Sequence, residues 1–121
     1  MASVFQTTLE ADVAVLGGCA DATRLRILFL LAVRELCVCE LVEILRMPQG
    51  KVSRHLTVLK KAELVRDTSV APFVLYRLTR DPGPQGRLVK TILETLSTEA
   101  EYRRERTLAL ARSRSRGGAT E

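Results

Sequence analysis

The stretch QGKVSRHLTVLKKAELV, residues 49–65, decides how this chain folds. Val52, Leu56, Leu59 and Leu64 recur at helical spacing, so a helix is expected from about Gln49 to Ala62 with those side chains facing inward. Gln49, Lys51, Ser53, Arg54 and His55 crowd its first turns and point away from that apolar row. Met47-Pro48-Gln49-Gly50 just upstream reads as a tight turn. Before the turn, Leu41, Ile44 and Leu45 give an inward face to a short helix from about Val38 to Arg46. After the helix the period changes. Leu64-Val65-Arg66-Asp67 and Phe73-Val74-Leu75-Tyr76-Arg77-Leu78 are short, β-branched or aromatic runs joined by Thr68-Ser69-Val70-Ala71-Pro72, a β-hairpin over about 64–79.

Working outward, Val4, Leu9, Val13 and Leu16 space out as a first helix that Gly17-Gly18 should stop. Asp21 is a good N-cap for a second, with Leu25, Leu28, Phe29 and Ala32 on one stripe. Asp81-Pro82-Gly83-Pro84 breaks the chain, and a last helix is expected from Arg87 to about Ala111, with Leu88, Ile92, Leu96 and Leu108 on one face. The remainder, residues 112–121, is a basic tail without apolar periodicity and is expected to be disordered. The fold class is mainly α with a small β-hairpin, in the order ααααββα. Two helices joined by a tight turn, with a hairpin directly after, make a winged helix-turn-helix over residues 1–111 whose second helix enters the major groove of DNA.

Charge points the same way. The chain of 121 residues carries a net charge of +5. Between Arg46 and Arg66 six basic residues (Arg46, Lys51, Arg54, Lys60, Lys61 and Arg66) face a single acid, Glu63. A helix in the major groove reads base edges with its N-terminal turns, so Gln49, Lys51, Ser53, Arg54 and His55 are candidate DNA contacts, with Lys60 and Arg66 beside them. An isolated basic helix is more often only a solvated face; the turn before this one and the hairpin after it favour the DNA reading. No apolar run is long enough for a membrane span, and the first residues, MASVFQTTLEADVAVL, carry no basic signal-peptide region. Three cysteines, an odd number, argue for a reducing cytoplasm over a disulfide framework. A thiol enzyme would need a general base near a cysteine, and the sole histidine, His55, lies on the helix that would face DNA.

Cys37 and Cys39 alternate at the start of the third helix. On a regular helix residues two apart point roughly 200° from each other, so they could not hold one ion there. A first turn is less constrained, and its free N–H groups and dipole favour thiolates. The pair reads either as two small hydrophobes or as an ion switch in which sulfurs that face apart swing together around a guest. An i,i+2 disulfide within a helix would be strained, and a thioredoxin-type site wants two intervening residues.

ADATRLRIL, ELCVCEL, QGKVSRHLTVLKKAELV and the hairpin ending YRL, taken in order over about residues 5–110, resemble the ArsR/SmtB family of metal-responsive repressors. The resemblance implies a homodimer built by the first and last helices and seated on a palindromic operator in double-stranded DNA. It implies that the protein binds DNA with no cofactor and is released by an inducing ion. Three positions depart from the family pattern. Pro48 stands where relatives have a capping Ser, Glu63 where many have Gly, and Ser69-Val70-Ala71-Pro72 lacks the usual Gly and Arg of the wing tip, so the wing should add little DNA contact. The last helix has no His, which removes the zinc site some relatives carry there. Val42 stands where arsenic sensors often place a third Cys, and no Cys pair precedes Cys19 as in cadmium and lead sensors. Cys19 is then either a third ligand reached through Gly17-Gly18 or a buried residue in a turn. Two or three thiolates suit trivalent arsenic or antimony as inducer; cadmium or lead, or thiol oxidation or persulfide, are the alternatives.

Overall fold

Asp21 starts the central helix. Its carboxylate accepts a hydrogen bond from the Arg24 N–H at 3.0 Å, the N-cap expected of it. The computed structural model, which describes residues 4–80, 83–96 and 103–111, contains α1 (Val4–Cys19), α2 (Ala22–Val33), β1 (Leu36–Cys37), α3 (Val38–Leu45), α4 (Gln49–Lys61), β2 (Val65–Val70), β3 (Phe73–Leu78) and α5 (Pro84–Leu96). Residues 103–111 are helical as well. The mainly helical winged helix-turn-helix is therefore present, with one strand more than the sequence suggested. Residues 97–102 of the expected last helix, Asp81-Pro82 of the expected breaker and the tail 112–121 lie outside the described residues.

Helix α2 is buried on nearly all sides. Ile27, Leu28, Phe29, Leu30 and Leu31 are all in the core, a run of five that departs from the narrow stripe expected, in which Ala32 is in fact exposed. A helix apolar all round is one that other elements enclose. Here α1, α4, β3 and α5 do so.

Helix α1 does not stop at its glycines. Gly18 faces the core, where a Cβ would lie 2.6 Å from Leu64 Cδ1, and the last carbonyls of the helix, Gly17 O and Gly18 O, accept hydrogen bonds from the Arg24 guanidinium at 3.1 Å each. Those bonds satisfy groups that a helix end otherwise leaves open. Val15 is buried, while Leu9, Val13 and Leu16 are exposed, Val13 by 59%. In α5 the inward residues are Val89 and Leu93, one step round from the expected Leu88 and Ile92.

Each helix of the pair is followed by a non-glycine residue in left-handed conformation. Arg46 (φ 56°) ends α3, and Glu63 (φ 60°) ends α4. After α4 the Leu64 N–H bonds to Leu59 O at 2.9 Å and the Glu63 N–H to Lys60 O at 3.0 Å, a Schellman closure that fixes the left-handed residue. The departure at position 63 thus falls where glycine is favoured. The hairpin extends to Val70 on one strand and Phe73 on the other, with Val65 opposite Leu78 and Val70 opposite Phe73. The unexpected strand β1 joins the far side of β3, giving the antiparallel order β1-β3-β2 with Cys37 opposite Leu75.

The helical segment 103–111 docks on α2 through a buried charge pair. The Arg26 Nε donates to Glu105 Oε1 at 2.7 Å, and Glu105 is 2% exposed. Two substitutions test this account. Glu63→Gly relieves the left-handed strain and should stabilise the fold by up to ~1 kcal/mol, read as a raised denaturation midpoint with unchanged slope. Arg26→Ala leaves a carboxylate buried and uncompensated and should destabilise it by ~3 kcal/mol; a loss no larger than that of an exposed residue would show that the pair does not anchor the segment.

Candidate functional site

Helix α4 has one buried face and one bare one. Val52, Leu56 and Leu59 are buried, as expected. Opposite them lie Gly50, Arg54, Thr57 and Lys61, all exposed. Of the expected contacts, Gln49, Lys51 and Arg54 are exposed and Ser53 is half-buried beside them. Gly50, Thr57 and Lys61 were not singled out, although their spacing from Arg54 on a helical wheel identifies the same face. The Thr57 hydroxyl donates back to Ser53 O at 3.0 Å. Pro48, at the N-cap, makes no side-chain cap, but its carbonyl accepts from the Lys51 and Val52 N–H groups at 3.1 and 3.2 Å. Proline at a helix start loses nothing in hydrogen bonding because its nitrogen would be unpartnered there in any case.

The other three expected contacts lie at the edges of this face. The His55 ring lies on the flank of α4 facing α2, with Nδ1 3.4 Å from Arg24 Nη1 and 3.8 Å from Asp21 Oδ2. Lys60 pairs with Asp67 on β2 at 3.0 Å, tying the end of α4 to the wing. Arg66 is exposed on β2 directly opposite Arg77, so the base of the wing carries two like charges side by side. Asp21 itself is held below the usual carboxylate range, first by the Arg24 N–H, against the opposing effect of burial, and further by the Arg24 charge.

The cysteine pair differs from expectation. Cys37 and Cys39 do not face apart: their sulfurs meet across Val38 as a disulfide, with Cα atoms 5.4 Å apart. The reason lies in the backbone. Cys37 is not in the helix but closes β1 in an extended conformation (φ −83°, ψ 164°) as the N-cap of α3, so the helical angle between i and i+2 does not apply. Its N–H is held by the Glu40 carboxylate at 2.9 Å, the return bond of a capping box. Cys37 is 3% exposed, while Cys39 opens to solvent. When reduced, the pair is a soft two-sulfur donor set already converged on one point, which suits a thiophilic ion that takes few thiolates. Among the described residues no three His, Cys, Asp or Glu side chains gather into a metal-holding group. Cys19 ends α1, packed against the core, and burial pushes its thiol pKa up, favouring the neutral form. Among the described residues no helix is long and apolar enough to cross a membrane.

The chain is similar to known proteins along this same region. The family model for bacterial regulatory proteins of the arsR family matches residues 21–67. Over 60 residues the chain is 47% identical to the arsenic resistance transcriptional regulator ArsR1 of Pseudomonas putida, covering 49% of this chain and 47% of that one. It is 46% identical over 61 residues to the arsenical resistance operon repressor of Escherichia coli, covering 50% and 52%. The chain thus spans about half the length of the curated relatives it matches. Among solved structures, HlyU from Vibrio cholerae matches with a TM-score of 0.64 and 32% identity over 75% of this chain and 92% of that one.

The exposures order the thiols by reactivity. After reduction, a limiting dose of alkylating reagent should label Cys39 before Cys37 and Cys19, as read by peptide mass spectrometry; equal labelling of Cys37 and Cys39 would contradict the capped, buried position of Cys37.

Proposed function

This chain belongs to the ArsR family of bacterial regulatory proteins, and on that footing we propose that it is a homodimeric repressor that releases a palindromic operator when trivalent arsenic or antimony binds Cys37 and Cys39. The observation that carries the reading is the convergence of the two sulfurs at the cap of α3, the helix packed against the DNA-reading helix. Arg54, Gln49 and Lys51 supply base and phosphate contacts from the first turns of α4, with Gly50, Thr57 and Lys61 on the same face. Ser53 and Arg66 flank it. The domain spans residues 1–111, and the apolar side chains left bare on α1 and on 103–111 (Leu9, Val13, Leu16, Leu108 and Leu110) form the dimer contact. The setting is the cytoplasm, where the pair is reduced.

Cys37 gives the switch two outputs. It caps α3, which packs on α4, and it pairs with Leu75 on β3 of the wing. A bound metalloid supplies two metal–sulfur bonds and an outer position for a small exogenous ligand. Arsenite would exchange two of its hydroxides for the sulfurs of the reduced pair, the two thiol protons leaving with them as two waters, and Cys37 and Cys39 would separate to flank the guest, which would shift the cap and the strand together. Coupling of ~1–3 kcal/mol per site is ordinary for such linkage, and a dimer has two. A second reading is favoured by the pairing of the sulfurs: the same cap responds to thiol oxidation.

One titration separates these. DNA enriched by the chain from a random pool is challenged with arsenite, antimonite, cadmium, zinc and a thiol oxidant. Arsenite and antimonite should release it from the parent, and Cys37→Ser or Cys39→Ser should keep DNA affinity while losing the release. Arg54→Ala should weaken binding by about 1–3 kcal/mol without changing metalloid affinity. Full inducibility in a double serine variant would end the thiol-switch reading, and release by oxidant alone would replace it with the second.

A further inference from the structure

Arg24 ties three helices together. Rooted in α2, it donates from Nη2 to Gly17 O and from Nε to Gly18 O in the last turn of α1, each at 3.1 Å, and from Nη1 towards His55 Nδ1 on α4 at 3.4 Å. Its own N–H is the group that Asp21 caps, and Asp21 Oδ2 stands 3.8 Å from the same His55 nitrogen. His55 therefore serves as an acceptor at Nδ1, with its proton on Nε2. A planar guanidinium holds its partners in fixed directions, which a lysine does not.

The two helices so joined have different exposed faces. α1 bears the apolar row Leu9, Val13 and Leu16, and α4 bears the basic face around Arg54. In a dimer assembled through α1, the separation of the two reading helices depends on the angle between α1 and α4 within each protomer. α1 has 16 residues, so at 1.5 Å per residue it is about 24 Å long, and a tilt of about 10° at its end moves the far end by about 4 Å. That displacement is a little more than the rise of one base pair, about 3.4 Å.

We propose that the Arg24–His55 contact is a positioning contact that sets the spacing between operator half-sites, and that His55 acts through it and not on the bases. The inference rests on the proposed function, since it needs a dimer that binds two half-sites. It is tested by enriching duplexes from a random pool with the parent chain, then lengthening or shortening the spacer of the selected site by one base pair. The parent should bind the selected spacing best. His55→Leu, which removes the acceptor, should remain dimeric and keep its half-site base preference while its discrimination between spacings falls about tenfold, the scale of one hydrogen bond to a charged group. His55→Asn, which keeps an acceptor near the Nδ1 position, should restore it. Arg24→Lys, which keeps the charge and loses the fork, should behave like His55→Leu. A uniform loss of affinity at every spacing, or no change, would overturn the proposal, as would an altered base preference within the half-site, which would make His55 a reader. Failure of the parent to enrich any sequence would instead remove the proposed function itself, and this inference with it.

Discussion

Five consecutive apolar side chains, Ile27 to Leu31, have to be kept from water at once, and no single neighbour can cover a helix on all its sides. Each such side chain is worth about 1.5–3 kcal/mol when buried. α1, α4, β3 and α5 meet that demand from different directions. Each turns one set of apolar side chains inward in doing so, Val15, Val52, Leu56, Leu59, Val89 and Leu93 among them, and this decides which faces are left outside. α4 turns Val52, Leu56 and Leu59 inward, so Arg54 and Lys61 face out. The basic surface is a by-product of the packing.

The turn within the helix pair and the end of α4 are held by backbone closures. Arg46 and Glu63 take left-handed conformations in which glycine would be cheaper, held by hydrogen bonds to Val42 O and Lys60 O. Pro48 gives up a side-chain cap at the start of α4, and its carbonyl takes over two of the first N–H groups. The helix-turn-helix therefore closes with Pro48 at the N-cap of α4 and Glu63 after its end, because the closures depend on backbone geometry more than on side-chain identity.

The cysteine pair is where local reasoning and the folded chain part. Counting 100° per residue sets Cys37 and Cys39 on opposite faces, but the count holds only inside a helix. β1 pairs Leu36 with Tyr76 and Cys37 with Leu75, and those bonds to residues almost forty positions away hold Cys37 extended. Its sulfur then meets that of Cys39 at the first turn of α3. A two-residue strand has no periodicity to detect, so nothing in ELCVCEL announces it. His55 is a similar case. It stands among polar neighbours in the sequence, and only the approach of the α2 N-terminus gives it Asp21 and Arg24 as partners.

Periodicity by itself determined the helices, the turn at Met47–Gly50, the hairpin and the inward residues of α3 and α4, because an amphipathic pattern records which face must leave water. Residue identity alone set the chemistry available: two soft thiols one residue apart and a basic helix that carries the sole histidine. Tertiary structure decided what the pattern leaves open. It chose Val89 and Leu93 over their neighbours on α5, left Leu9, Val13 and Leu16 of α1 bare, carried α1 through its glycines to the Arg24 guanidinium, and drew two sulfurs together. Where the deciding contact joins residues distant in the chain, as Cys37 with Leu75 and Gly18 with Leu64, a local pattern contains no term for it.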